Sequence, residues 1–231
     1  MTSCRSFYST TGGRLFHCPF NGIQSTRLIS PVTDNIDKQR TYREQMGRYK
    51  RAMQEGFYFE AMLISYAAIE DRLLSMLYHM AFRKNRKTLD PLKTTKSYYL
   101  KIVETYKASD ENTSLGLKSI TGKMKIIRCT LQWVATTKDG YAQNKFLRVL
   151  KNQFEGMDID GLLAALDGIA AWCKYRNEVI HSLLNKNIDS LEQELAEKTA
   201  EGMQYARYLD AQERILKKGN CIRRSANAPR E

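Results

Sequence analysis

Three histidines, His17, His79 and His181, are the side chains of this 231-residue sequence that ordinarily exchange protons near neutral pH. General acid–base catalysis at that pH therefore has few candidates. His181 stands out because it closes the segment Arg-Asn-Glu-Val-Ile-His at 176–181, near the end of a helical pattern apolar enough to be central. Glycine-rich phosphate loops, His-Glu-x-x-His pairs, clustered carboxylates at metal spacing and Gly-x-Ser-x-Gly elbows are absent from the sequence, so most enzyme classes lose support.

Helices must position this segment. Apolar residues recur at three- and four-residue spacing between a few glycines and prolines, while strand-like alternation is hard to find. We expect helices at about 37–54, 57–83, 95–107, 120–134, 144–154, 158–184 and 191–217. Ser190 and Gln193 form a capping box for the last one. The sequence therefore predicts an all-α fold, an up-and-down antiparallel bundle of about four to six helices.

Composition bounds the class of protein. An apolar share of 42% is too high for a disordered chain, and the formal net charge is +12. The five cysteines are odd in number and include no Cys-x-x-Cys pair, which argues against a disulfide framework or a zinc knuckle. No apolar run reaches the length of a membrane span. We expect a soluble, cytoplasmic protein without a metal or other cofactor.

Three regions follow from these patterns. Residues 1–35 hold no acidic residue before Asp34 and are interpreted as a flexible or mis-started N-terminal segment, with a targeting segment as the alternative. Residues 36–218 form the helical domain. Residues 219–231 are predicted to be a basic flexible tail.

The segment at 176–181 resembles the Arg-(four to six residues)-His motif of the HEPN superfamily, in which Asn, Asp or His typically follows the arginine, here Asn177. The stretches GFYFEA at 56–61 and YAAIEDRL at 66–73 are similar to the first core helix of such domains. The resemblance covers about residues 40–215. It implies an all-helical, commonly dimeric protein, and many HEPN proteins are metal-independent ribonucleases of toxin–antitoxin, abortive-infection or CRISPR-linked defence systems.

On this resemblance Arg176, Asn177 and His181 are the catalytic residues of an endoribonuclease. His181 would take the proton of an RNA 2′-hydroxyl, Arg176 would stabilise the charge on phosphorus, and Asn177 would hold the phosphate or the ribose. On an ideal helix Asn177 and His181 share a face, but Arg176 projects about 140° away from His181. The arginine must wrap round, the helix must bend, or a two-fold dimer must combine motifs from two chains.

The residues that follow His181 differ from those in one HEPN subgroup. That subgroup has His-x-Tyr, with the tyrosine modified by a partner antitoxin, whereas Ser182 and Leu183 follow His181 here. Control by a nucleotidyltransferase at that position is therefore not expected. Another antitoxin or regulatory partner stays open.

Structural roles compete with the catalytic ones. Arg176, Asn177 and His181 could pair with Glu70, Asp71 or backbone carbonyls and simply fix the bundle. Glu70 could orient Arg176 across the bundle or be a solvated residue near Arg72. The alternative function is a catalytically silent helical module that binds RNA or a protein partner, and a third is a scaffold subunit.

A second arginine–histidine pair is not assigned. Arg72 and His79 have six residues between them, but Leu73 follows the arginine and the pair lies along an apolar stripe.

Basic residues cluster at 38–51, 83–107 and 214–230, which would attract RNA phosphates. Lys96, Tyr99 and Lys101 are the predicted RNA-binding residues, with the tyrosine stacking on a base. Each cluster could instead be a solvated helix face, and the tyrosines could pack in the core.

Overall fold

The computed structural model describes residues 29, 35–112, 114–137, 144–182, 192–218 and 221–226. These residues form eight α-helices and no strand, apart from an isolated antiparallel β-bridge between Arg83 and Pro91. The helices are α1 (Ile36–Glu55), α2 (Tyr58–His79), α3 (Lys93–Tyr106), α4 (Ile120–Thr136), α5 (Lys145–Glu155), α6 (Ile159–Ser182), α7 (Glu192–Lys217) and α8 (Cys221–Ala226). The all-α class is confirmed, with eight helices instead of about four to six.

The long helices α2 and α7 form the main packing pair of the fold. Gly56 ends α1 in the left-handed conformation, with φ of 81°, and its backbone N–H donates to the Ala52 carbonyl. The chain then turns directly into α2, whose predicted apolar stripe is buried. Its members are Ala61, Ile64, Ala68, Leu73, Leu77 and, just after the helix, Met80. α1 and α4 also pack against α2, so this helix is central, as its pattern predicts.

Side-chain caps fix where several helices begin. Asn35 Oδ1 accepts from the Lys38 amide at the start of α1, and Ser119 Oγ accepts from the Gly122 amide at the start of α4. Such caps satisfy amide donors that have no partner inside the helix. The predicted capping box at Ser190 lies outside the described residues.

Helix α6 is packed tightly against α7. Asp158 Oδ1 accepts from the Gly161 amide and caps the start of α6. Farther along, Trp172 is buried, and its indole N–H donates to the Lys198 carbonyl at 2.6 Å. The Trp172 ring lies where a Cβ on Gly202 would be, so glycine permits the close approach of the two helices.

Part of the segment predicted to be a flexible tail, residues 219–231, is helical in the structure. Residues 221–226 form α8, which packs mainly against α5 and buries Ile222 and Ala226. The two apolar side chains and the hydrogen bonds of Arg223 hold this helix against the domain. A short helix gains its stability from such tertiary contacts. Residues 219–220 and 227–231 lie outside the described residues.

The predicted N-terminal segment is described at one position before Asn35. Ile29 is buried, with 4% of its surface exposed, and belongs to the hydrophobic core. At this residue the segment therefore packs against the domain. Residues 1–28 and 30–34 lie outside the described residues. None of the helices in the described ranges combines the length and the apolarity that a membrane crossing requires.

Candidate functional site

Helix α6 carries all three predicted catalytic residues in its last two turns. Its buried face, which includes Trp172, Cys173 and Val179, fixes the helix against the core. Asn177 and His181 are exposed, and Arg176 is partly buried. The motif is therefore held at the surface on a rigid helix.

Arg176 points toward α2. Its guanidinium carbon lies 4.0 Å from the centroid of the Tyr66 ring, a cation–π contact. Its Nη2 donates to Asn177 Oδ1 at 2.6 Å, and its Nε has no hydrogen-bond partner among the described residues. The arginine is thus held by an aromatic face and an amide, and its Nε is buried without a partner among the described residues.

His181 stands apart from this arginine. It lies in the last turn of α6, and its side chain is exposed. Because Arg176 folds onto Tyr66, it does not wrap round the helix to reach His181. Of the resolutions expected from the spacing, a wrapped arginine is therefore not the one seen within this chain.

Glu70 lies close to the Arg176 contact but pairs with another residue. Its Oε1 is 2.6 Å from Lys123 Nζ, and the Lys123 side chain is only 2% exposed. Burial raises the pKa of Tyr66, and the charge of Glu70 raises it further, while Arg176 acts in the opposite sense. The interpretation that Glu70 orients Arg176 through an ion pair is therefore corrected, because a buried lysine takes that carboxylate.

Cys173, on α6, lies close enough to Arg176 and Glu70 for both charges to act on it. Burial raises the pKa of its thiol to about 11, with Arg176 lowering and Glu70 raising it. At neutral pH this thiol stays protonated and is a poor nucleophile.

Asp71 belongs to a different cluster, and its predicted supporting role is corrected. It forms an ion pair with Lys38 at 2.6 Å and another with Arg72 at 2.7 Å, and it accepts a hydrogen bond from the Tyr42 hydroxyl. Burial alone would raise the pKa of Asp71, but Lys38 and Arg72 outweigh that effect and hold it below its ordinary value. One position along a helix rotates a side chain by about 100°, which turns Asp71 toward α1.

The sequence did not reveal the partners of Arg72. This guanidinium is fully buried, and its Nη1 donates to Asp210 at 2.9 Å and to Glu213 at 2.7 Å. Its Nη2 donates to Tyr42 and Asp71. An arginine inside an apolar stripe signals a buried acidic partner, although the sequence does not say which.

Glu213 on α7 contacts both residues of the unassigned pair, Arg72 and His79. His79 is buried, and its Nε2 lies 3.5 Å from Glu213 Oε1, while the other oxygen of this carboxylate accepts from Arg72. Ser75 donates to Glu213 as well. This cluster is a packed polar network in the core.

The predicted RNA-binding residues separate in the structure. Lys96 and Lys101 are exposed on α3. Tyr99 is fully buried, its hydroxyl donates to the Met80 carbonyl at 2.5 Å, and its ring contacts Phe82 edge-on. The prediction that Tyr99 stacks on a base is wrong, because its ring is enclosed by the core.

An apolar groove runs between α1 and α2. It encloses about 430 Å³ and is lined mainly by Tyr42, Met46, Leu63, Ile64 and Ala67. Leu63 is 40% exposed in it. In the described part of the chain no three His, Cys, Asp or Glu side chains are grouped so as to hold a metal ion.

Comparison with known proteins adds no assignment to this geometry. No protein-family model, no curated protein and no solved structure matches the chain.

Proposed function

We propose that this protein is a metal-independent endoribonuclease with a HEPN-like helical domain and with Arg176, Asn177 and His181 as its catalytic residues. One observation carries the proposal. Near the end of α6, partly buried Arg176 is held against Tyr66 and Asn177, and His181 is exposed in the last turn. A fixed cation and an accessible imidazole are the two groups that cleavage of RNA by its own 2′-hydroxyl requires.

The reaction combines proton transfers with one displacement. Neutral His181 takes the proton of a 2′-hydroxyl, and the 2′-oxygen attacks the adjacent phosphorus as the bond to the 5′-oxygen breaks. The departing 5′-oxygen accepts a proton from water and the His181 imidazolium returns its proton to water, so the products are a 2′,3′-cyclic phosphate and a 5′-hydroxyl. Arg176 stabilises the negative charge that develops on the phosphoryl oxygens, and Asn177 holds the phosphate or the ribose.

The active form is proposed to be a homodimer. Arg176 of one chain lies on Tyr66 and away from its own His181, so a two-fold axis that sets two motifs side by side would supply both groups to one RNA. This arrangement, with an up-and-down bundle as the framework, follows from the resemblance to HEPN proteins. The same resemblance suggests a cytoplasmic role in growth arrest, abortive infection or phage defence, under an antitoxin or another regulatory partner.

Incubation with total RNA tests the activity. The parent protein and a His181→Ala variant are each incubated with RNA in excess EDTA, and the ends of the fragments are identified. We expect cleavage by the parent alone, with cyclic phosphates at the new 3′ ends. Cleavage by His181→Ala at the parental rate would remove His181 from the mechanism.

A silent helical module is the second candidate, and the packing of Arg176 favours it. The contacts of this residue with Tyr66 and Asn177 would equally stabilise the junction of α6 and α2. Under this alternative Arg176→Ala lowers the unfolding temperature, and neither the parent nor the variant produces cyclic phosphate ends.

A further inference from the structure

Two basic segments far apart in the sequence meet at the ring of Tyr78, at the end of α2. The guanidinium carbon of Arg223, from α8, lies 3.9 Å from the ring centroid, and that of Arg86, from the loop after α2, lies 4.8 Å from it. We define the Tyr78 surface by the cationic residues of these two segments whose side chains are exposed or partly exposed. They are Lys84, Arg86, Lys87, Arg223 and Arg224.

Backbone contacts of Arg223 join the two segments. Its guanidinium donates to the carbonyls of Tyr78 at 2.8 Å, Arg83 at 3.0 Å and Lys84 at 3.0 Å. Helix C-termini leave carbonyls without partners and carry partial negative charge, so an arginine is a suitable cap there. The cap sets α8 and the loop side by side.

Hydrogen bonds also fix the loop that carries three of the cations. Arg83 is buried, and its guanidinium donates to the carbonyls of Leu74, Arg86 and Thr88. Asn85 Oδ1 accepts from the backbone amides of Lys87 and Thr88 at 2.9 and 2.8 Å. The loop is therefore ordered before any ligand arrives, which lowers the entropic cost of binding.

The cations of this surface are not paired with carboxylates, although the exposed Asp90 lies on the same loop. Among the described residues no Asp or Glu forms an ion pair with any of its five cations, whereas some cations elsewhere are paired, such as Lys38 with Asp71 and Lys123 with Glu70. Burial lowers the pKa of Arg223, and the charge of Arg86 lowers it further against an opposite effect of Tyr78. Crowded like charges of this kind destabilise a fold unless an anion binds.

We propose that the Tyr78 surface binds the phosphodiester backbone of single-stranded RNA. Three of its five cations are arginines, whose planar guanidinium groups donate two parallel hydrogen bonds to a phosphate and stack on bases. A membrane-binding face needs several exposed apolar side chains beside its cations, and the loop offers one, Leu89, at 42% exposure. The proposal goes beyond the proposed cleavage, because it concerns binding at residues outside the motif of α6.

A charge-matched pair of variants tests this surface. One combines Arg86→Gln, Lys87→Gln and Arg224→Gln, all at exposed positions. The control combines three exposed cations of α1 in the same ratio of arginine to lysine, as Arg43→Gln, Lys50→Gln and Arg51→Gln. Circular dichroism and thermal melting establish that both variants are folded like the parent.

The probe is a fluorescent oligonucleotide of 2′-O-methyl RNA, which lacks the hydroxyl that cleavage needs. Fluorescence anisotropy over a range of salt concentrations gives its affinity. We expect the Tyr78-surface variant to bind about tenfold or more weakly at low salt, and its slope of log affinity against log salt to fall by about 2, from about 0.7 for each lost phosphate contact. The α1 control should change less than about threefold.

Three results would overturn the proposal. The Tyr78-surface variant could bind RNA as tightly as the parent, or the α1 control could lose as much affinity for RNA. The third is that the variant binds phosphatidylserine vesicles more weakly than the parent while its affinity for RNA is unchanged. Because the probe cannot be cleaved, these outcomes are independent of the ribonuclease assay. A protein that binds at this surface but cleaves no RNA would remove the proposed enzyme and keep the binding site.

Discussion

The guanidinium of Arg72 on α2 donates to the carboxylate of Glu213 on α7 at 2.7 Å, although 141 positions separate the two residues in sequence. Both side chains are completely buried. Burial alone would lower the pKa of Arg72, but Glu213 is the strongest of the neighbours that raise it above its ordinary value. The strongest packing pair of the fold is therefore joined by a buried ion pair as well as by apolar contacts.

Replacing Arg72 by methionine should strongly destabilise the protein. The change keeps most of the apolar stem but leaves Glu213 and Asp210 without their shared cation, and loss of one partner of a buried pair costs about 3 to 5 kcal/mol. Urea denaturation measures the free energy of unfolding. The control is Arg40→Met, because Arg40 pairs with Asp37 on the exposed face of α1 and should contribute less than about 1 kcal/mol. Equal losses in the two variants would contradict a special role for the buried pair.

Asp71 should make the stability of the protein sensitive to acid. Its pKa in the folded state lies below its ordinary value, so its stabilising effect is present at neutral pH and is lost as the pH falls through the folded pKa. Asp71→Asn should cost about 1 to 2 kcal/mol at pH 7, and the difference from the parent should shrink below about pH 4. Denaturation curves over this pH range measure it, with the exposed Asp37→Asn as the control. A difference independent of pH would contradict the ion-pair explanation.

Tyr66 should position Arg176 for cleavage if the proposed enzyme is correct. A cation–π contact contributes about 0.5 to 1 kcal/mol at an exposed site, so Tyr66→Leu should slow cleavage about twofold to fivefold. Tyr66→Phe keeps the ring and should retain the parental rate. The rates are compared on one RNA substrate at saturating concentration, with folding checked by circular dichroism. Loss of activity in Tyr66→Phe equal to that in Tyr66→Leu would assign the effect to the hydroxyl instead.

Tyr99 should affect stability and not RNA binding. Its buried hydroxyl donates to the Met80 carbonyl, so Tyr99→Phe leaves that contact unmade and should cost about 1 kcal/mol of unfolding free energy. Affinity for the 2′-O-methyl RNA probe should stay at the parental value. A weaker RNA complex in a variant of unchanged stability would instead assign the Tyr99 hydroxyl a role in RNA binding.

Local patterns predicted the helices well, because periodicity and end signals act over a few residues. The glycine at 56 marks the end of α1, and the apolar stripe of α2 is buried as expected. Even the position of Tyr99 carried a usable signal, since Thr95, Tyr99, Ile102 and Val103 recur at helical spacing and are all buried. The charge clusters around it carry no information on whether a tyrosine is buried or exposed.

The sequence could not identify side-chain contacts between residues that lie far apart in the chain. Nothing near Glu70 indicates that Lys123, 53 positions later, takes its carboxylate, and nothing near Arg72 identifies Asp210 or Glu213. The docking of α8 was hidden for a similar reason. A six-residue basic segment looks like a solvated tail until Arg223 is seen to cap α2 from 145 positions away.

That cap has a consequence for synthesis of the protein. The end of α2 leaves the ribosome well before its main packing partner α7 and before the arginine that binds the Tyr78 carbonyl, which lies 145 positions later in the chain. Closing contacts between such distant segments is slow, and the apolar face of α2 stays uncovered in the meantime. We therefore expect nascent chains that end before α7 to depend on chaperones, and chains that stop before Arg223 to reach a domain whose central helix is open at one end.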